Sequence, residues 1–177
     1  MRKRLQLAGA VAVLALLAVV GGAVATGGHR DIRESLTGYE ETPMTVSSAG
    51  SGEFKARIDR WDDEIRYRLS YRNLESDVTQ AHIHFGARAT SGGISVFLCS
   101  NLGNGPEGTQ ACPAKGGTVT GTIGPEDVIG PVAQGIEVGA FDELLDAVRA
   151  GVTYANVHTV DRGAGEIRAQ LADDRGH

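Results

Sequence analysis

The stretch Ala81-His82-Ile83-His84-Phe85-Gly86 carries the clearest chemical signal in the sequence. On a β-strand, residues two apart project to one side, so His82 and His84 share a face while Ala81, Ile83 and Phe85 take the other. Their bases then stand about 7 Å apart, near enough for both imidazoles to lean onto one ion at about 2.0 Å. A third histidine, His158, lies in Tyr154-Ala155-Asn156-Val157-His158-Thr159, where small or apolar Ala155 and Val157 occupy the opposite face. If the two strands are neighbours, three neutral imidazoles converge and leave a coordination position open. Such a donor set suits copper or zinc far better than calcium or magnesium, which prefer oxygen. Nitrogen ligands and an oxidising compartment favour copper, with zinc second. Tyr154, Asn156 and Arg168 are the candidates to surround the ligands. The ordinary reading is that paired histidines on a sheet are simply solvated. For Arg168 the ordinary reading, a salt bridge on the sheet surface, is the favoured one.

Other chemistries find little support. Cys99 and Cys112 flank a stretch rich in Gly, Asn and Pro. In an exported chain an isolated pair reads as a disulfide, whose loop closure restricts the unfolded state by roughly 3 kcal/mol. A blue-copper centre wants a free thiolate and usually an axial Met. No Gly-x-Ser-x-Gly elbow and no phosphate-cradling Gly loop before a helix is present.

The expectation of export comes from the N-terminus. Arg2, Lys3 and Arg4 precede an uncharged stretch that ends in Gly21-Gly22-Ala23-Val24-Ala25. Residues 1–25 read as a signal peptide cleaved after Ala25; the alternative is an uncleaved anchor, and both place the domain outside the cytoplasm. Removing them takes away three positive charges and shifts the formal net charge from −5 to −8. That balance argues against nucleic acid or anionic lipid as the main partner. Membrane association is expected only through an uncleaved N-terminal segment.

The remaining chain must supply the strands that carry the histidines. After a flexible lead-in at 26–31, one domain is expected over 32–172, followed by a disordered tail at 173–177. Phe54, Ala56 and Ile58 alternate with charged neighbours, as do Ile65, Tyr67, Leu69 and Tyr71, with a hairpin turn around Arg60 to Asp63. Further alternating runs at 78–85, 94–99, 119–123, 153–159 and 165–171, with a first strand near 32–36, make about eight. The 25 glycines fall mostly between these runs. The fold class expected is all-β, an antiparallel Greek-key β-sandwich or barrel. One segment breaks the period: Phe141, Leu144, Leu145 and Val148 fall at helical spacing, with Asp142 and Glu143 in the first turn and Gly151 beyond the end, so residues 140–150 read as a helix packed across one end of the sheets.

The order of several short pieces resembles the CHRD domain, the module named after chordin. They are Leu36-Thr37-Gly38 with Glu40-Glu41-Thr42-Pro43, the Tyr-rich strand ending at Asn73-Leu74, the two histidine segments, and Gly165-Glu166-Ile167-Arg168-Ala169-Gln170-Leu171. The family pattern usually has Gly where this chain has Ala169. The resemblance implies a β-sandwich module over about Leu36 to Leu171, known also as a single domain in bacterial exported proteins. It implies no defined activity.

A looser similarity is to copper-zinc superoxide dismutases, which also place His-x-His on one strand, a further ligand on a later strand and an arginine near the metal. This chain lacks an evident bridging histidine and zinc loop. Three functions therefore stand as expectations. The first is a transition-metal module using His82, His84 and His158. The second is a structural or adhesive module that binds an extracellular protein or a glycan without metal. The third is a superoxide dismutase-like redox enzyme, which the sequence favours least and for which it names no catalytic residue.

Overall fold

Eight antiparallel strands form one sheet that curls until it nearly closes as a barrel, the expected all-β class. The computed structural model describes residues 30–59 and 64–172. The expected leader at 1–25, residues 26–29 of the lead-in expected at 26–31, the turn at 60–63 and the tail at 173–177 lie outside the described residues, and the last two lead-in residues, Arg30 and Asp31, are strand rather than flexible chain.

In chain order the strands are β1 (Arg30–Thr37), β2 (Ser51–Asp59), β3 (Glu64–Arg72), β4 (Val78–Phe85), β5 (Gly93–Ser100), β6 (Gly117–Ile123), β7 (Thr153–Thr159) and β8 (Ile167–Leu171). They neighbour one another in the order β5-β4-β7-β8-β1-β2-β3-β6. Hairpins join β1 to β2, β2 to β3, β4 to β5 and β7 to β8, whereas β3–β6, β4–β7 and β1–β8 pair strands remote in sequence. β4 and β7 match the alternating runs residue for residue. β1 starts two residues before the expected domain boundary because Arg30 and Asp31 pair with Ile58 and Arg57. β8 begins at Ile167 rather than residue 165, since Gly165 takes φ +135 and turns the chain into the strand.

The inward residues form one apolar interior that includes Leu36, Phe54, Ile58, Leu69, Ile83 and Leu98, each at most 1% exposed. At the edges, Tyr67 Oη donates to the Leu98 carbonyl (3.0 Å) and Gln110 Nε2 donates to Tyr67 Oη (3.0 Å) and the Thr120 carbonyl (3.0 Å). These bonds span the gap between β5 and β6 with side chains where no ladder exists. The expected disulfide, Cys99–Cys112, ties β5 to the loop before β6.

The helix, α1 (Phe141–Arg149), is one residue shorter at each end than expected. Its apolar stripe (Phe141, Leu144, Leu145 and Val148) joins the core. Gly151, at φ +67, donates to the Val148 carbonyl, and Val152 N donates to the Ala147 carbonyl (both 3.0 Å). This pair of bonds satisfies the last carbonyls with a left-handed residue that glycine tolerates best.

Candidate metal centre

β4 and β7 lie side by side, so the strand pairing on which the histidine cluster depends is present. In this register Asn156 faces His82 and Tyr154 faces His84, while His158 faces Gln80 and sits diagonally from His82. Diagonal neighbours on one sheet face remain within reach of long side chains. The ring centroids are 5.2 Å apart for His82–His84, 5.0 Å for His82–His158 and 5.8 Å for His84–His158. One nitrogen from each ring lies within 4.8 Å of the others. A point between them is then within about 2.8 Å of all three, against a coordination bond of about 2.0 Å.

The rings are buried rather than solvated: His82, His84 and His158 are 0%, 8% and 7% exposed. Burial follows from three loops that fold over the outer face of β4, β7 and β8. His84 Nδ1 lies 3.0 Å from the Gly92 carbonyl and His158 Nδ1 lies 3.0 Å from the Gly163 carbonyl. A carbonyl can only accept, so both Nδ1 atoms carry the proton and both Nε2 atoms present a lone pair. This is the outer-shell arrangement that orients metal-binding imidazoles. His82 Nδ1 is 3.2 Å from His158 Nε2 and becomes its donor. His82 Nε2 and His84 Nε2 are buried with no hydrogen-bond partner.

Burial holds all three imidazoles neutral. Desolvation lowers His82 far below its ordinary value, with the neighbouring His158 and His84 adding to the effect. It lowers His84 to about 4 and also lowers His158, while the Gly92 and Gly163 carbonyls oppose the shift in each ring. Neutral imidazole is the form that binds metal.

The three residues expected to surround the ligands divide into two roles. The Tyr154 ring stacks on His84 at 4.7 Å with an interplanar angle of 2°. The Arg168 guanidinium covers the other side, with its Cζ 3.5 Å from the Tyr154 centroid. Asn156 turns away from the imidazoles and donates to Glu41 Oε1 (2.6 Å) and the Ile167 carbonyl (3.3 Å).

The surface salt bridge favoured for Arg168 is corrected by these contacts. Arg168 is 2% exposed and donates to Thr42 Oγ1, the Thr90 carbonyl (2.9 Å), the Ala87 carbonyl (3.3 Å) and Gln170 Oε1 (3.4 Å). It pins two loops over the face. Alternation made β8 look half-exposed because the covering loops come from distant parts of the chain.

Sequence reasoning also missed two buried acids. Glu41 is 5% exposed, and desolvation raises it to about 7 against the lowering effect of Asn156 and Arg168. Glu166 is fully buried; it accepts from Ser48 Oγ (2.7 Å), the Glu75 amide (2.9 Å) and Thr159 Oγ1 (2.8 Å). Glu41 and Asn156 are 115 positions apart, so no local spacing connects them. Gly165 permits their contact, because a Cβ there would stand 2.7 Å from Asn156 Nδ2 and from both Glu41 carboxylate oxygens.

Taken together, an all-β module braced by a disulfide carries a buried group of three histidines that could hold a metal ion. The chain belongs to the CHRD domain family, whose model matches residues 32–171. Comparison with curated proteins and with solved structures finds no match, and the likeness to superoxide dismutases rests on the histidine pattern alone. Family membership and the disulfide suggest an extracellular module. Among the described residues, no helix is long and apolar enough to cross a membrane.

Proposed function

We propose that this protein is an exported CHRD module that binds one transition-metal ion through His82, His84 and His158, with copper favoured over zinc. The observation that carries the reading is the pair of buried, partnerless nitrogens, His82 Nε2 and His84 Nε2, beside a third imidazole oriented by a backbone carbonyl. Leaving buried polar atoms unpaired costs about 1–3 kcal/mol each, and a metal removes that cost. When bound, the ion supplies a Lewis-acid or redox centre. The chain's own residues orient the imidazoles, keep them neutral and exclude water. Near-complete burial of the rings favours storage or transfer of the ion over turnover of a dissolved oxidant, so the dismutase-like reading ranks last.

The metal-free structural module is the second reading, and one observation favours it: the 3.2 Å contact between His82 and His158, which already satisfies two of the ring nitrogens. Purified protein loaded separately with Cu(II) and Zn(II), then dialysed, separates the two. Retention of one equivalent that His158→Ala abolishes supports the metal centre. No retention, or retention indifferent to that change, supports the structural module. Competition between the two ions then tests the preference for copper.

A further inference from the structure

The outer face of β1, β2, β3 and β6 lies on a different part of the sheet from the histidines, and its charge opposes that of the chain. Among the described residues six cations project from it: Arg33, Lys55, Arg57, Arg66, Arg68 and Arg72. The described acidic side chains on the same face are Asp31, Glu53 and Glu64. The strand register sets cations directly opposite one another, Arg33 against Lys55, Lys55 against Arg68, and Arg57 against Arg66. Like charges in directly opposed positions destabilise a sheet. A net-negative chain has no folding reason to gather them.

The acids do not cancel the excess. Glu53 is shared between Arg33 (3.2 Å) and Lys55 (2.6 Å), Asp31 pairs with Arg57 (3.7 Å), and Glu64 pairs with Arg66. Arg68 donates to Thr118 Oγ1 at 3.2 Å. Ion pairs this exposed contribute about 0–1 kcal/mol and exchange readily for an incoming anion. An open trough of about 590 Å³ runs along this face, lined by Arg33, Lys55, Arg57, Arg66 and Arg68 together with Asp31, Ile32, Ala56 and Tyr67.

We propose that this trough binds a polyanionic polysaccharide whose repeating carboxylates pair with the guanidinium groups. Five of the six cations are arginines, and the guanidinium fork matches a carboxylate bidentately. Thr118, Thr120 and Thr122 on β6 add hydroxyls that can bond sugar hydroxyls along the same face. Single-stranded nucleic acid fits less well, because among the described residues the face turns no aromatic ring outward for a base to stack on, Tyr67 being buried and bonded to the Leu98 carbonyl. A membrane surface fits less well, because among the described residues the face projects no apolar side chain that could insert. The site is independent of the metal centre.

Calorimetric titration of the full chain with polygalacturonate at about 50 mM salt tests the proposal, and salt should weaken the affinity as released counterions require. R57Q/R66Q/R68Q is expected to bind about tenfold more weakly or less, and R57Q/R66Q to fall between it and the unmodified protein. Arg149→Gln, on α1 and off this face, should bind like the unmodified protein, as should His158→Ala. Circular dichroism confirms that each variant is folded, and the double variant carries the test should the triple variant unfold. Absence of binding by the unmodified protein overturns the proposal. So does unchanged affinity in the arginine variants, or displacement of the polysaccharide by duplex DNA or anionic vesicles at equal charge.

Discussion

β7 is buried on both faces, and the two faces are stabilised by opposite means. Inward, Ala155 and Val157 meet other apolar groups, and area removed from water supplies about 25 cal/mol per Å² whatever the partner. Outward, Tyr154, Asn156 and His158 meet polar groups, and each must find a specific partner or lose its hydration uncompensated. The outer face meets that demand with Glu41, Arg168 and loop carbonyls, yet leaves ring nitrogens of His82 and His84 unpaired. An apolar face that is well packed is sufficiently explained by folding. Thr153 Oγ1 on the inward side is also buried without a partner, so a single unpaired atom marks no site; the outer face differs in setting two unpaired imidazole nitrogens side by side with a third ring next to them.

The contrast is tested most severely by Phe54→Ala on the inward side. It should cost about 3–5 kcal/mol in denaturant unfolding while the folded fraction keeps its histidine cluster and any metal retention. Loss of retention at full folding would show that the two faces are not separable. The Cys99→Ser/Cys112→Ser variant should lose about 3 kcal/mol, measured the same way, because the closed loop no longer restricts the unfolded chain.

On the polar side, Glu41→Gln should stabilise the protein by on the order of 1–3 kcal/mol at pH 8 and lose that advantage below about pH 5. The sign follows from a folded-state value raised to about 7 above the unfolded 4.5: Glu41 favours folding below pH 4.5, and that contribution disappears as pH rises through 7. The imidazoles act the other way. Their lowered values mean that metal-free stability is full above about pH 6.5 and falls as pH drops towards 4, where His84 titrates. Urea unfolding of Glu41→Gln across pH 4–8 isolates this second trend. A flat profile would show that the imidazoles are not held neutral by burial.

The smallest effect on folding is expected for His84→Leu, a net loss of about 1 kcal/mol without metal, because the Nδ1 hydrogen bond to the Gly92 carbonyl is lost while the partnerless Nε2 is exchanged for apolar surface. Metal retention should nonetheless be lost. A large loss of stability instead would make His84 a structural residue.

Much of this was legible in the sequence. Two-residue periodicity marked seven of the strands, with the first placed near 32–36, and a 3.6-residue stripe marked α1, because each element must turn one side to the interior. The histidine segments were visible because imidazoles are few and stood on strands with small or apolar opposite faces. Burial of those imidazoles was not legible. Alternation reports one buried face and is silent when loops bury the other, as at Arg168 and the fully buried β8.

By itself, then, the order of residues determined which segments become strands, which become helix, which cysteines pair and which face of β4 and β7 bears nitrogen donors. These are local properties of spacing and side-chain polarity. Only the tertiary structure decided that β4 lies against β7, that Glu41 reaches Asn156, and that Arg168 draws two loops over the imidazoles. Those contacts join residues far apart in the chain, and the preference for each arises only once the whole sheet has closed around them.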